Sequence, residues 1–263
     1  MSHKRRQYTS DVSDGQWKRM GWMFPKHKGA GRPMTLDLRE VFNAILYVMV
    51  SGCQWRNLPN DLPNPKSVYY HFRKWSRDGT WRRMNRVMSF LERRRGGRFP
   101  YPSAGIVDSQ SVKTSDSGAE RGYDGGKKVK GRKRHILVDT LGNLLEVVVL
   151  AANRSDIAGA KAVLSKVERQ IALRLFKLWA DKSYQGELRD WLDEHFHIQL
   201  EIVTAEAGQV GFAVQPRRWV VERTFAWLGK FRRLSKDYER CVLHSEATLY
   251  LASICTLLKR LPI

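Results

Sequence analysis

Hydrophobic residues in the first hundred positions recur at helical spacing and predict three helices. The clearest stretch, Leu38 to Met49, follows Asp37, which is suited to cap a helix, and ends before Gly52, which is suited to stop one. Two further amphipathic stretches run from Val68 to Trp75 and from Trp81 to Leu91. The sequence therefore predicts a small all-helical unit at this end of the chain.

The remainder alternates between β-rich and helical patterns. Short apolar strands are predicted at residues 105–108, 134–139, 144–150, 176–181 and 198–204. Helical patterns cover residues 157–170, 187–196, 217–240 and 246–261. Three strands followed by helix–strand alternation indicate an α/β fold with a mixed sheet flanked by helices, in the order of the RNase H-like fold.

A basic stretch rich in glycine, Arg93 to Arg98, separates the two patterns and is followed by Pro100 and Pro102. Such a composition is typical of a linker. We therefore expect two domains, a helical domain at residues 1–98 and an RNase H-like domain at residues 99–263.

The overall charge limits the kinds of molecule that the protein is expected to bind. The chain has 263 residues, with 47 Lys and Arg against 26 Asp and Glu and a formal charge of +21. Such an excess favours a polyanionic partner: DNA, RNA or an anionic membrane. The longest apolar run, Val41 to Val50, is about half of what a membrane span needs, so we expect no membrane association. The basic N-terminus lacks an apolar signal region, and the three cysteines are scattered, so we expect a cytoplasmic protein.

The excess of positive charge is concentrated in the helical part. Residues 1–100 hold 21 Lys and Arg against 7 Asp and Glu, a balance of +14. Three of these cations, Arg73, Lys74 and Arg77, fall on the side of the second predicted helix that faces away from its apolar residues. We expect them to bind DNA as part of a helix-turn-helix-like domain. An ordinary helical bundle with a solvated basic face is the alternative.

A second basic cluster precedes the second predicted strand of the sheet and continues into its first residues. It consists of Lys127, Lys128 and Lys130, followed by Arg132, Lys133, Arg134 and His135. We expect this cluster, and Lys133 and Arg134 in particular, to bind the DNA backbone beside an active site. The alternative is a solvated loop.

Two carboxylates end predicted strands of the sheet. Asp108 follows Gly105-Ile106-Val107, and Asp181 follows a similar apolar run. Ligands of α/β sheets bind at the carboxyl ends of strands, so the two side chains are expected to lie close together. Paired carboxylates are suited to Mg²⁺, with Mn²⁺ as a substitute. Two such ions can activate a hydroxyl nucleophile and stabilise the leaving oxygen of a phosphodiester.

A third acid is expected from a helix, and Glu222 is the preferred candidate. Its helix carries Arg218 one turn earlier and an apolar stripe that can press it against the sheet. Asp139 and Asp156 compete for the second position, although a turn and a helix start account for them. Glu239 is the rival for the third position.

The chain resembles the DDE transposases of bacterial insertion sequences, in the insertion-sequence-five family. The resemblance rests on five motifs in order: GCQWRNLP at 52–59, VDSQSVK at 107–113, GRKRH at 131–135, ADKSYQG at 180–186 and RWVVER at 218–223. It implies that Asp108, Asp181 and Glu222 are the catalytic and metal-binding acids. The superfamily signature around the third acid further implies that Arg218 contacts phosphate. Its lysine position falls on Gly229, and Lys230 stands one residue beyond.

This resemblance implies a divalent-metal-dependent endonuclease and polynucleotidyl transferase. The enzyme would bind the terminal inverted repeats of its own element, cleave there and join the ends to target DNA. Two ends must be paired, so a homo-oligomer is expected. Two alternatives remain: a decayed transposase that acts as a non-catalytic DNA-binding repressor, and a basic RNA-binding protein.

Overall fold

The computed structural model describes residues 5–25, 36–115, 120–204 and 217–261. Its helices are α1 (Asp14–Met20), α2 (Leu38–Ser51), α3 (Pro65–Arg77), α4 (Thr80–Arg95), α5 (Asp156–Lys166), α6 (Arg169–Ala172), α7 (Leu188–Phe196), α8 (Trp219–Gly229) and α9 (Val242–Arg260). Its strands are β1 (Ala104–Lys113), β2 (Gly122–Asp124), β3 (Val129–Asp139), β4 (Leu144–Ala151), β5 (Lys177–Ala180) and β6 (Gln199–Ile202). None of the described helices is both long enough and apolar enough to cross a membrane.

The three predicted N-terminal helices are present, and two are longer than the apolar pattern suggested. Asp37 caps α2 by accepting a hydrogen bond from the Arg39 backbone N–H at 2.8 Å, and Gly52 ends it with φ of 73°. α3 begins earlier than expected because Asn64 supplies its cap and Pro65 occupies its first position. α4 continues to Arg95, so part of the predicted linker is helix.

The sheet is mixed, as predicted, and has β4, β3, β1, β5 and β6 side by side. β4, β3 and β1 are antiparallel neighbours, whereas β1, β5 and β6 run parallel. The short β2, which the sequence pattern missed, pairs with the start of β3. β1 extends through Lys113, because its pairing with β3 continues well beyond the end of its pairing with β5.

Apolar layers cover both faces of the sheet. One face, which includes Ile106 and Ile136, packs in a single core with α8, α9 and helices α2–α4. The opposite face, which includes Val107 and Leu137, packs against α5 and α7. The N-terminal helices and the sheet thus contribute side chains to one core. A domain boundary at residue 98 remains a prediction.

Candidate active site

Two predicted acids meet where β5 ends beside β1. Ile106 of β1 pairs with Trp179 of β5, so Asp108 and Asp181, each two residues further on, lie level on the same face. Asp108 is within β1 rather than at its end, which corrects the sequence expectation. β5 ends at Ala180, and the edge of β1 beyond Ile106 is therefore not paired with it.

The third predicted acid reaches the same place from α8. The guanidinium of Arg218 lies 3.3 Å from Asp181 Oδ2 and 3.3 Å from Glu222 Oε1, so it bridges the two carboxylates. Arg218 and Glu222 are one helical turn apart and therefore share a face of the helix start. Val221, which lies between these two residues in the sequence, is fully buried and anchors α8 on the sheet. The arrangement gathers Asp108, Asp181 and Glu222 around one arginine.

The electrostatics of Asp108 differ from those of an ordinary surface carboxyl. Burial, with a smaller contribution from the charge of Asp181, raises the pKa of Asp108 to about 6, against the hydrogen bond from the Ser109 backbone N–H and the charges of Arg218 and Lys127, which lower it. A partly buried carboxyl that faces a second carboxylate is stabilised in its ionised form by a cation.

These acids fit a divalent cation by their chemistry. Carboxylate oxygens are the ligands that Mg²⁺ prefers, and Asp108 and Asp181 present them side by side. Within the described ranges, no three Asp, Glu, His or Cys side chains already form a compact metal cluster. Glu222 is instead held by Arg218. Asp108 and Asp181 are therefore the core of a candidate metal site, and Glu222 is its adjacent third acid.

Asp139 and Asp156, the alternatives to Asp181 as the second catalytic acid, each have structural partners. Asp139 is fully buried, accepts hydrogen bonds from the backbone N–H groups of Leu141 and Asn143, and lies 2.7 Å from Arg93. It closes the turn between β3 and β4. Asp156 is the first residue of α5 and accepts a hydrogen bond from Ser109 Oγ at 2.7 Å.

Glu239, the rival for the third position, is buried in an ion pair. Its Oε1 lies 2.7 Å from Arg233, and only 5% of the residue is exposed. The motif at 52–59 contacts the same ion pair, because Arg233 donates to the Cys53 carbonyl at 3.3 Å and lies over the Trp55 ring. Glu239 thus joins the N-terminal helices to the segment after α8.

The cations predicted on the second helix form an exposed face. Arg73, Lys74 and Arg77 are exposed on α3, and Tyr70 and Lys66 extend the same face toward the helix start by one and two turns respectively. Among the described residues, none of these cations has a carboxylate within ion-pair distance. The face is therefore available for an anionic partner.

The cations predicted on β3 are buried instead. Lys133 is 6% exposed, with its Nζ 3.2 Å from Asp156 and 3.5 Å from Asp124. Arg134 is 2% exposed and donates to the carbonyls of Leu234 and Lys236. Burial lowers the pKa of Arg134 to about 10. Neither head group faces solvent, so we do not retain either residue as a DNA contact.

Lys230 lies at the far end of α8 from Glu222, whereas Tyr184 lies close to the acids. Lys230 is exposed immediately after α8. Tyr184, which the sequence argument did not single out, lies in the short turn after Asp181 and is fully buried. Burial raises the pKa of its hydroxyl well above the ordinary value, and the charges of Asp108, Asp156 and Asp181 add to this shift. Its place in the motif at 180–186 was the available signal.

Carboxylates on two adjacent strands of an RNase H-like sheet, with a third on a helix beside them, define the DDE class of transposases. The family model described as "Transposase DDE domain" matches residues 100–258, and the chain belongs to this family. A second model, described as "Putative transposase of IS4/5 family", matches residues 12–85. The expected resemblance and fold class are both confirmed.

A curated relative supports the same assignment. The protein described as "Putative transposase for insertion sequence element IS402", from Burkholderia cepacia, is 31% identical over 121 residues. The match covers 42% of this chain and 54% of that relative. The chain therefore spans about half the length of the curated relative it matches.

Proposed function

We propose that this transposase binds the terminal inverted repeats of its own insertion sequence and performs metal-dependent strand cleavage and strand transfer. The observation that carries the proposal is the convergence of Asp108, Asp181 and Glu222 around Arg218. Their position on the central strands and the adjoining helix supports a shared catalytic role. The bacterial nucleoid is the proposed place of action.

The reaction consists of two displacements at phosphorus. In the first, a water oxygen attacks the phosphodiester at the end of the element, the P–O3′ bond breaks, and a 3′-hydroxyl and a 5′-phosphate result. In the second, that 3′-hydroxyl attacks a target phosphodiester, and the 3′-oxygen of the target strand leaves. A pair of bound Mg²⁺ ions, or Mn²⁺ ions in their place, would supply the Lewis acidity for both steps.

The residues of the chain have separate roles in this proposal. Asp108 and Asp181 hold the metal ions, and Glu222 completes the set when its ion pair with Arg218 opens. The released guanidinium of Arg218 is then free to bind a phosphate, for which its planar fork is suited. Asp108 is ionised above pH of about 6, which suits metal binding at neutral pH.

DNA recognition is assigned to the exposed face of α3. Arg73, Lys74 and Arg77 bind the backbone of double-stranded repeat DNA, and Lys230 adds a contact at the end of α8. Residues 1–98 would thus serve mainly in recognition and residues 99–263 in catalysis. Synapsis of two ends requires a homo-oligomer, with target DNA as the further partner.

A cleavage assay tests the proposal. The protein is incubated with DNA that carries the flanking repeats, with and without Mg²⁺ or Mn²⁺, beside Asp108→Asn, Asp181→Asn and Glu222→Gln. Asp190→Asn is a matched control, since Asp190 is an exposed carboxylate on α7. We expect metal-dependent nicks at the repeat ends that disappear in the three variants and persist in the control, with DNA binding retained throughout.

Two other outcomes would redirect the proposal. Binding to the repeats without cleavage under every metal condition would favour a non-catalytic repressor. Cleavage that survives Glu222→Gln would remove Glu222 from the set and leave the two aspartates as the only acids required.

A further inference from the structure

The turn between β2 and β3 carries a lysine toward the acid site. Asp124, the last residue of β2, accepts a hydrogen bond from the Lys127 backbone N–H at 3.0 Å. Lys128 follows with φ of 53°, the left-handed conformation that reverses the chain into β3. The turn therefore holds Lys127 in a defined place, although residues 125–128 are exposed to solvent.

This turn is anchored to the two central strands by its own carboxylate. Asp124 Oδ2 accepts a hydrogen bond from Ser111 Oγ of β1 at 2.6 Å and lies 3.5 Å from Lys133 Nζ of β3. The Ser111 hydrogen bond is the main reason that the pKa of Asp124 is lowered to about 2. Asp124 is thus ionised across the working pH range and keeps the turn against the sheet.

The side chain of Lys127 reaches the residue that follows Asp108. Its Nζ donates to the Ser109 carbonyl at 3.2 Å and lies 3.5 Å from Ser109 Oγ. Its charge lowers the pKa of Asp108, against the larger effect of burial. Arg218 acts on Asp108 in the same sense from α8. The acid site thus has a cation on each side, one from a helix and one from a turn.

The ammonium of Lys127 retains donor capacity and charge. A lysine ammonium has three N–H donors, and the contacts with Ser109 use at most two. In the part of the chain that the structure describes, no carboxylate lies within ion-pair distance of Lys127. Asp156, the nearest acid along this network, already accepts from Ser109 Oγ and pairs with Lys133.

We propose that Lys127 is a further catalytic residue, whose ammonium contacts a non-bridging oxygen of the phosphate that is cleaved and transferred. This inference rests on the proposed function. Negative charge accumulates on those oxygens in the transition state, and a preorganised cation stabilises it there. In this role Lys127 forms no covalent bond and transfers no proton. Its role differs from that of the α3 face, which binds DNA away from the reacting atoms.

The neighbouring lysines provide matched controls. Lys128 and Lys130 lie in the same segment, are exposed, and carry the same charge, but neither makes a described contact with β1. Substitution of any of the three removes one positive charge from the same region. Only Lys127 is expected to affect the chemical step.

The test compares Lys127→Gln, Lys127→Arg, Lys128→Gln and Lys130→Gln in single-turnover cleavage of repeat DNA with Mg²⁺. Dissociation constants are measured separately, and thermal unfolding verifies that each variant is folded. We expect Lys127→Gln to lower the rate constant at saturating protein by roughly a hundredfold, the scale of losing one oxyanion donor, with the dissociation constant changed less than threefold. Lys127→Arg should recover part of the rate, and the two control variants should retain it within about twofold.

Three results would overturn the inference. An unchanged rate constant at saturation with weaker binding would make Lys127 a general DNA contact. Equal losses in Lys127→Gln and Lys128→Gln would indicate an effect of regional charge. A loss in Lys127→Gln that Lys127→Arg does not relieve, together with a lower melting temperature, would make Lys127 a structural residue of the turn. Failure of the proposed function is distinct from these results, because the unsubstituted protein would then not cleave at all.

Discussion

The exposed face of α3 and the basic run of β3 look alike in the sequence and differ completely in the structure. Arg73, Lys74 and Arg77 are exposed, and in the described ranges they have no acidic partners. Lys133 and Arg134, in an equally dense basic run, are buried among carboxylates and backbone carbonyls. Local charge density therefore did not distinguish an exposed basic face from an internal ion-pair network.

The difference follows from how each element is covered. A surface helix buries one stripe and exposes the rest, so three cations at suitable spacing remain in water. β3 has β1 on one edge and β2 and β4 on the other, with packed layers on both faces. Every residue from Gly131 to Asp139 is consequently buried. Charged residues in such a strand are retained only when they are paired.

The largest expected effect is the loss of stability in Lys133→Met. This substitution keeps the side-chain volume but leaves Asp124 and Asp156 without their shared cation, which should lower the free energy of unfolding by about 3–5 kcal/mol. Urea denaturation followed by tryptophan fluorescence measures the change. Lys130→Met, at the exposed start of β3, should change stability by less than about 0.5 kcal/mol. If Lys133→Met instead kept its stability but bound DNA more weakly, Lys133 would be a DNA contact like the cations proposed on the α3 face.

The second effect is on binding. Replacement of Arg73, Lys74 and Arg77 by Gln should leave the unfolding free energy nearly unchanged but weaken repeat DNA binding. The slope of log affinity against log salt should become shallower by about 2.7, or 0.9 per phosphate contact. Fluorescence anisotropy at several salt concentrations measures it. A double control, Arg169→Gln with Arg189→Gln, removes exposed charge from α6 and α7. Equal slopes in the two variants would argue against a specific α3 surface.

The third effect depends on pH and concerns the anchor of the β2–β3 turn. Asp124 has a pKa of about 2 in the folded protein, below the ordinary value near 3.8. Its contribution to stability is therefore present above pH of about 4 and is lost as the pH falls through 2. Asp124→Asn should cost about 1–3 kcal/mol at pH 6, and the difference from the unsubstituted protein should shrink toward pH 2.5. A difference independent of pH would show that the carboxylate charge is not the source of the stabilisation.

The smallest effect is expected from Lys230→Gln. Lys230 is a single exposed cation after α8, so its replacement should leave stability unchanged and reduce the salt slope of DNA binding by about 0.9. Lys230→Arg should preserve the slope. A salt slope that does not change in Lys230→Gln would remove Lys230 from the DNA surface.

Much of the fold was accessible from local patterns. The apolar spacing of α2 and the residues at its two ends predicted both boundaries of that helix, because caps act within a few residues. The β-rich runs and their order predicted the RNase H-like sheet. The pattern failed where long-range pairing extends an element: β1 continues past Asp108 because β3 pairs with it, and α4 continues past Leu91 because Arg93 pairs with Asp139.

The candidate site was predicted in part. Strand position and the helix pattern selected Asp108, Asp181 and Glu222. In the structure Arg218 pairs with Asp181 and Glu222, and its charge also acts on Asp108. The bridge formed by Arg218 was not predictable, since it depends on how α8 packs against β1 and β3. The hydrogen bond from Lys127 to Ser109 was also not predictable, because the two residues are eighteen positions apart in the chain.

By itself, the sequence determined the periodicity of each element, the order of strands and helices, and the acids placed at their ends. These properties are local, since they depend on residues within one or two turns or on alternate positions of a strand. Tertiary structure alone decided which cations face water, which acids share a cation, and which lysine of the β2–β3 turn reaches the site. Burial depends on what packs across from a residue, and that neighbour is distant in the chain.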